Sequence, residues 1–139
     1  QPNFILSYYN ARSSGSKLDL HIDSHIPYLG NHVYMLQVAV ILENQNEKNG
    51  CTILKPQSHL SGKYTNRKET NLKKINSKAG DLVIWDSRIW HGTTKNTSNK
   101  TRWALITTFS SWWLKQSMDM VRSLPKNIFK RLSINKKLF

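Results

Sequence analysis

The chain has 139 residues, enough to bury one core and too few for several domains. A hydrophobic fraction of 38% with five Trp excludes a disordered chain, and the single cysteine, Cys51, excludes a disulfide framework or a cysteine-rich zinc site. The formal charge of +13 invites a nucleic-acid reading, but seven bases fall in residues 115–139 and six in residues 63–78, the pattern of solvated surface rather than of one binding face.

Residues 4–10 already read as strand behind Gln1, so the chain is expected to be an N-terminally truncated fragment of a longer protein. A Ser/Gly turn at 13–16 leads into residues 18–23, where Leu18, Leu20 and Ile22 alternate with Asp19, His21 and Asp23, the clearest period-2 pattern in the chain. Pro27 and Gly30 then break it. Residues 33–42 are almost continuously apolar and β-branched, which predicts a central strand with both faces covered. Cys51 opens a returning strand over 51–55 and reads as a small buried hydrophobe. Residues 56–78 are a polar excursion with a short strand near 72–75. Strands are predicted over 82–86, 90–94 and 102–109. Helical spacing appears only afterwards, with Trp113, Met120 and Leu124 on one face before Pro125, and Trp112-Trp113 is expected to pack that helix on the sheet. Many short strands and a late helix predict a mainly β fold, a sandwich or jelly roll. Residues 1–111 form its core, and residues 112–139 form a C-terminal helix and basic tail.

His21 and Asp23, two apart on a strand, project from the same face and can reach one ion. Alone, this pair reads as a strand histidine and a turn cap. His91, after an apolar strand and ahead of Gly92, is the best third donor. Two imidazoles and one carboxylate form the facial set that suits ferrous iron and leaves positions for a cosubstrate and O2. Arg102, eleven residues further on, can return along a hairpin and offer a bidentate guanidinium to a dicarboxylate; alone, it reads as a surface strand cation.

The order His-x-Asp, a long gap, then His91 with Arg102 behind it resembles the phytanoyl-CoA dioxygenase family of Fe(II)/2-oxoglutarate enzymes. So do the stretches Leu20-His21-Ile22-Asp23-Ser24, Asn49-Gly50-Cys51-Thr52 through Pro56-Gln57-Ser58-His59, and Ala79-Gly80-Asp81 through Trp85-Asp86. The likeness spans roughly residues 4–109. It implies a double-stranded β-helix, cupin-like, with iron at its mouth on His21, Asp23 and His91. It implies Fe(II), 2-oxoglutarate and O2 as cofactors, and hydroxylation of an unactivated C–H bond with release of succinate and CO2. Because Asp23 is present, hydroxylation is expected over halogenation. The resemblance also implies that Thr93 joins Arg102 on the cosubstrate carboxylate, with Gln37, Asn10 and Tyr8 as weaker wall candidates. His25 is expected at the pocket rim or just behind the metal ligands, His32 on the surface and His59 in a structural turn with access to the pocket. The expected partner is a small molecule, with an anionic one suggested by residues 63–78, and the expected location is cytoplasmic. A non-catalytic cupin-like binding module and a basic nucleic-acid binder are the alternatives.

Overall fold

Alternating and β-branched runs become strands because one face of each is buried and the ladder satisfies the backbone. The computed structural model describes residues 3–13, 15–66 and 68–133, so the last six residues of the predicted basic tail lie outside the described residues. The strands are β1 (Phe4–Arg12), β2 (Leu18–His21), β3 (Met35–Ile41), β4 (Thr52–Leu54), β5 (Lys73–Ile75), β6 (Leu82–Asp86), β7 (His91–Thr93) and β8 (Ala104–Ser111). They form two four-stranded sheets, a major one ordered β1-β8-β3-β6 and a minor one ordered β2-β7-β4-β5, with every pairing antiparallel. Apart from the β4–β5 pair, the chain crosses from one sheet to the other at each step. That is the double-stranded β-helix.

The inner face of the major sheet changes character along its length. At one end Ala39, Ile41 and Ala104 pack with Val83, Trp85 and Ile106 into the core. One row further along, Gln37 lies between Thr108 and Trp85, and Thr108 pairs with Tyr8, so this end of the sheet presents polar groups inward. The outer face is not covered as predicted for residues 33–42. Burial on β3 alternates, and Leu82 and Ile84 on the neighbouring strand are each 60% exposed, because this strand faces the interior on one side only.

The C-terminal segment also departs from its prediction. It forms two short helices, α1 (Met120–Ser123), capped by the Asp119 side chain, and α2 (Lys126–Arg131), which starts after Pro125. Trp113 precedes both in a turn; it and Trp112 are half exposed, and the Trp113 ring meets Tyr34 edge-on at 5.4 Å. Residues 116–118 instead strap the edge of β1, where Met118 N–H donates to the Ser7 carbonyl at 3.0 Å and the Gln116 amide donates to the Leu6 carbonyl at 2.7 Å. Among the described residues no helix is long and apolar enough to cross a membrane.

Candidate metal centre

His21 ends β2 and is the direct cross-strand partner of His91 on β7, so both imidazoles leave one face of the minor sheet, with ring centroids 4.2 Å apart. Gly92 makes this pairing close: a Cβ built there would stand 2.4 Å from the Leu18 carbonyl oxygen, a distance only glycine escapes. Asp23 arrives differently from its prediction. The strand stops at His21, and Asp23 lies in the bend that follows, where its N–H donates to the Ser87 carbonyl at 2.8 Å and that of Ser24 donates to the same oxygen at 3.1 Å. Its carboxylate is aimed by the turn ahead of β7, not by strand alternation.

The three side chains converge. Asp23 Oδ1 stands 3.4 Å from His21 Nε2 and Oδ2 stands 3.1 Å from His91 Nε2, and the three ligand atoms lie within 4.8 Å of one another. Each ring is latched from behind: His21 Nδ1–H donates to the Asp19 carbonyl and His91 Nδ1–H to the Ile89 carbonyl, both at 2.9 Å. A carbonyl only accepts, so Nδ1 carries the hydrogen and Nε2 of each neutral ring presents a lone pair. Two lone pairs and a carboxylate then face one point, which is unfavourable without a cation among them. The donor set fits ferrous iron, and the carbonyl latches are the outer hydrogen bonds that orient metal-binding imidazoles.

Without metal, protons answer the same demand. The hydrogen bond to Asp23 outweighs burial and raises the His21 pKa above its ordinary 6.5. Burial pushes Asp23 up, but the hydrogen bonds from His21 and His91 together hold its carboxyl far below the usual carboxylate range. His21 therefore contributes stability that is full below about pH 6.5 and fades as pH rises through its raised value, whereas the Asp23 contribution is lost only in strong acid. The metal-free chain should melt lower as pH climbs from 6 to 8, while metal affinity climbs and binding releases protons. Calorimetry in two buffers of different ionisation enthalpy measures the release; a pH-independent affinity would contradict the arrangement.

A cavity of about 360 Å³ opens beside the triad, lined among others by Tyr8, Asn10, Gln37, Trp85, Thr93 and Arg102. Arg102 lies two residues ahead of β8 rather than on it, and is 6% exposed. Its Nε has no partner, and among the described residues no carboxylate pairs with it. Burial draws its pKa down from the ordinary guanidinium value, but a guanidinium stays charged. A buried, unpaired cation facing a cavity calls for an anion. The Thr93 hydroxyl accepts from Leu18 N–H at 3.1 Å, which leaves its hydrogen to donate inward. Asn10 Oδ1 and Trp85 Nε1 are likewise buried without partners, and the Trp85 ring sits 5.1 Å from that of His91. Gln37 is more committed: its oxygen accepts from the Thr108 hydroxyl at 2.8 Å and its amide donates to the Ser87 hydroxyl at 3.4 Å. It braces the turn that holds Asp23.

The other histidines lie away from this cavity. His25 is exposed, with a left-handed φ of 61°, and is not at the rim as predicted. His32 is exposed against the Tyr34 ring at 4.6 Å, and His59 lies in a 3-10 turn, Ser58–Leu60, without lining the pocket. None of the lining residues comes from 63–78 or 112–133.

Sequence reading missed Arg88. It is 3% exposed, forks onto the Asp86 carboxylate (Nε–Oδ1 3.0 Å, Nη2–Oδ2 2.7 Å), donates to the Gly30 carbonyl at 2.8 Å and lies 4.2 Å over the Tyr28 ring. It thus ties the turn that positions Asp23 to the far end of the same loop. A charged Asp-x-Arg at the end of an apolar strand was the available signal. Arg88→Ala strands the largely buried Asp86 carboxylate and the Gly30 and Tyr28 carbonyls, and should cost about 3–5 kcal/mol of stability. Thermal denaturation of the metal-free chain measures this; an unchanged midpoint would show the clamp to be idle.

A family model described as phytanoyl-CoA dioxygenase matches residues 1–104. An uncharacterized protein of Mycobacterium tuberculosis, Rv1501, is 28% identical over 98 residues, 69% of this chain and 36% of its own length. The dioxygenase af480 of Aspergillus fumigatus is 28% identical over 134 residues, 88% of this chain and 42% of its own length. The chain therefore spans well under half of these relatives. HygX from Streptomyces hygroscopicus, solved with nickel, 2-oxoglutarate and hygromycin B bound, shares the fold at a TM-score of 0.69 and 16% identity, over 81% of this chain and 58% of HygX.

Proposed function

The chain belongs to the phytanoyl-CoA dioxygenase family, and from that premise we propose that it is the core of a ferrous, 2-oxoglutarate-dependent dioxygenase that hydroxylates an unactivated C–H bond of a small molecule. The carrying observation is one cavity holding three converging metal donors and a buried guanidinium that lacks a counter-charge among the described residues. HygX, which has this fold, was solved with 2-oxoglutarate. Iron with 2-oxoglutarate supplies the oxidative decarboxylation to succinate and CO2 and the oxidising power for the C–H bond.

The chain's own residues do the rest. His21, Asp23 and His91 would hold the metal, the two rings being fixed by the Asp19 and Ile89 carbonyls. Arg102 neutralises and orients the distal carboxylate of the cosubstrate, and Thr93 adds a hydroxyl donor. Trp85 and Gln37 wall the cavity, and Gln37 fixes Ser87 and through it Asp23. Residues 1–111 are the catalytic unit, and residues 112–139 are an appendage of which residues 116–118 strap β1. One buried, unpaired cysteine suits a cytoplasmic setting.

Anaerobic titration with Fe(II) and then 2-oxoglutarate tests this reading. A visible metal-to-ligand charge-transfer band should grow to one equivalent, and O2 should discharge it with formation of succinate. A chain that binds metal but gives no band is a binding module instead.

A further inference from the structure

The cavity holds more positive charge than the proposed cofactors neutralise. Within that reading, on which this inference rests, the ferrous ion and Arg102 are balanced by Asp23 and the two carboxylates of 2-oxoglutarate. Asp23 is the sole carboxylate lining the cavity among the described residues. Two further cations line the cavity, Arg12 and Lys17. Lys17 has a counter-charge in Asp19, 3.6 Å away. Arg12 has no ion-pair partner among the described residues.

Position makes the surplus meaningful. Arg12 ends β1 directly opposite Ala104, two residues on from Arg102, and Ala104 faces the core. Cross-strand partners share a face, so Arg12 turns toward the interior side of the sheet at the cavity mouth. An entering molecule therefore passes a guanidinium that no other described residue pairs with.

We propose that Arg12 receives an anionic group, a carboxylate or a phosphate, on the substrate, and so selects substrates that carry one a short reach from the C–H bond to be oxidised. The planar fork suits either oxyanion, and the basic surface of the chain raises the local concentration of such molecules. Because Arg12 is exposed, its contribution is modest, about two- to fivefold in affinity.

The test uses the full chain, anaerobic, with Fe(II) and 2-oxoglutarate, and follows the visible band while adding glycerol 3-phosphate, glycerate or glycerol. Both anions should shift the band saturably and glycerol should not; the tighter of the two identifies the preferred group. Arg12→Gln should weaken the anion response about two- to fivefold and Arg12→Lys by less, while the band before addition is the same in all three proteins. Equal responses to glycerol and the anions, or an Arg12→Gln titration that overlays the wild type, would overturn the inference with the oxygenase reading intact. Loss of the band on adding anion would mean displaced 2-oxoglutarate and would overturn it too. No band at any stage would remove the oxygenase reading and this inference together.

Discussion

Asp23→Ala should leave a folded chain that no longer converts 2-oxoglutarate to succinate. Asp23 supplies the one negative charge among three donors, and its removal leaves a divalent cation on two neutral rings. Loss of an outer-shell partner alone costs roughly 10–100-fold in metal affinity, so loss of this ligand should cost at least that. Asp23→Asn keeps the shape and removes the charge, and should fail nearly as badly, which separates electrostatics from packing. His91→Ala should behave alike, because Asp23 Oδ2 lies nearer to His91 Nε2 than Oδ1 does to His21 Nε2. The checks are iron titration and coupled succinate formation under air; undiminished succinate in either alanine variant would refute the ligand assignment.

Arg102→Gln should raise the KM for 2-oxoglutarate by roughly 100-fold, since truncating one side of a buried charged hydrogen-bonded pair costs about 2–5 kcal/mol. Iron binding by itself should not change. Arg102→Lys keeps a point charge without the fork and should fall between. A second readout separates binding from scaffolding. In the metal-free chain Arg102 is a buried cation with an unpartnered Nε, so its replacement should hold or raise the melting temperature. A lowered melting temperature with an unchanged KM would make Arg102 a structural residue.

The strands were legible wherever local pattern decides them. Period-2 alternation marked β2, β-branched runs marked β3, β6 and β8, and the β4 and β7 segments fell within a residue or two of their predicted limits. The sheet order was not legible from pattern, and came only with the family resemblance. Of the site, His21, His91, Arg102, Thr93 and Gln37 were named, and all line the cavity. Asp23 was named for the wrong reason, because the bond that places it joins residues 23 and 87 and leaves no local trace. Arg12 was invisible for a related cause, because an unneutralised charge is a property of assembled neighbours; Arg88 left only the local trace of Asp86-x-Arg88, since its clamp forms with Tyr28 and Gly30 in place. Residues 113–124 misled because their apolar spacing suits a helix, while the backbone donors of 117 and 118 are engaged by Ser7 on the β1 edge instead.

The triad draws its members from two widely separated stretches of chain, one at the end of β2 and one at the start of β7. A shared ion would thus act as a staple across a long loop, absent from the unfolded chain. Each tenfold excess of free metal above its dissociation constant then adds about 1.4 kcal/mol to the work of unfolding. In a cell short of iron the same molecules would be both inactive and easier prey for proteases, so supply of the metal would govern how long the protein lasts as well as how fast it works.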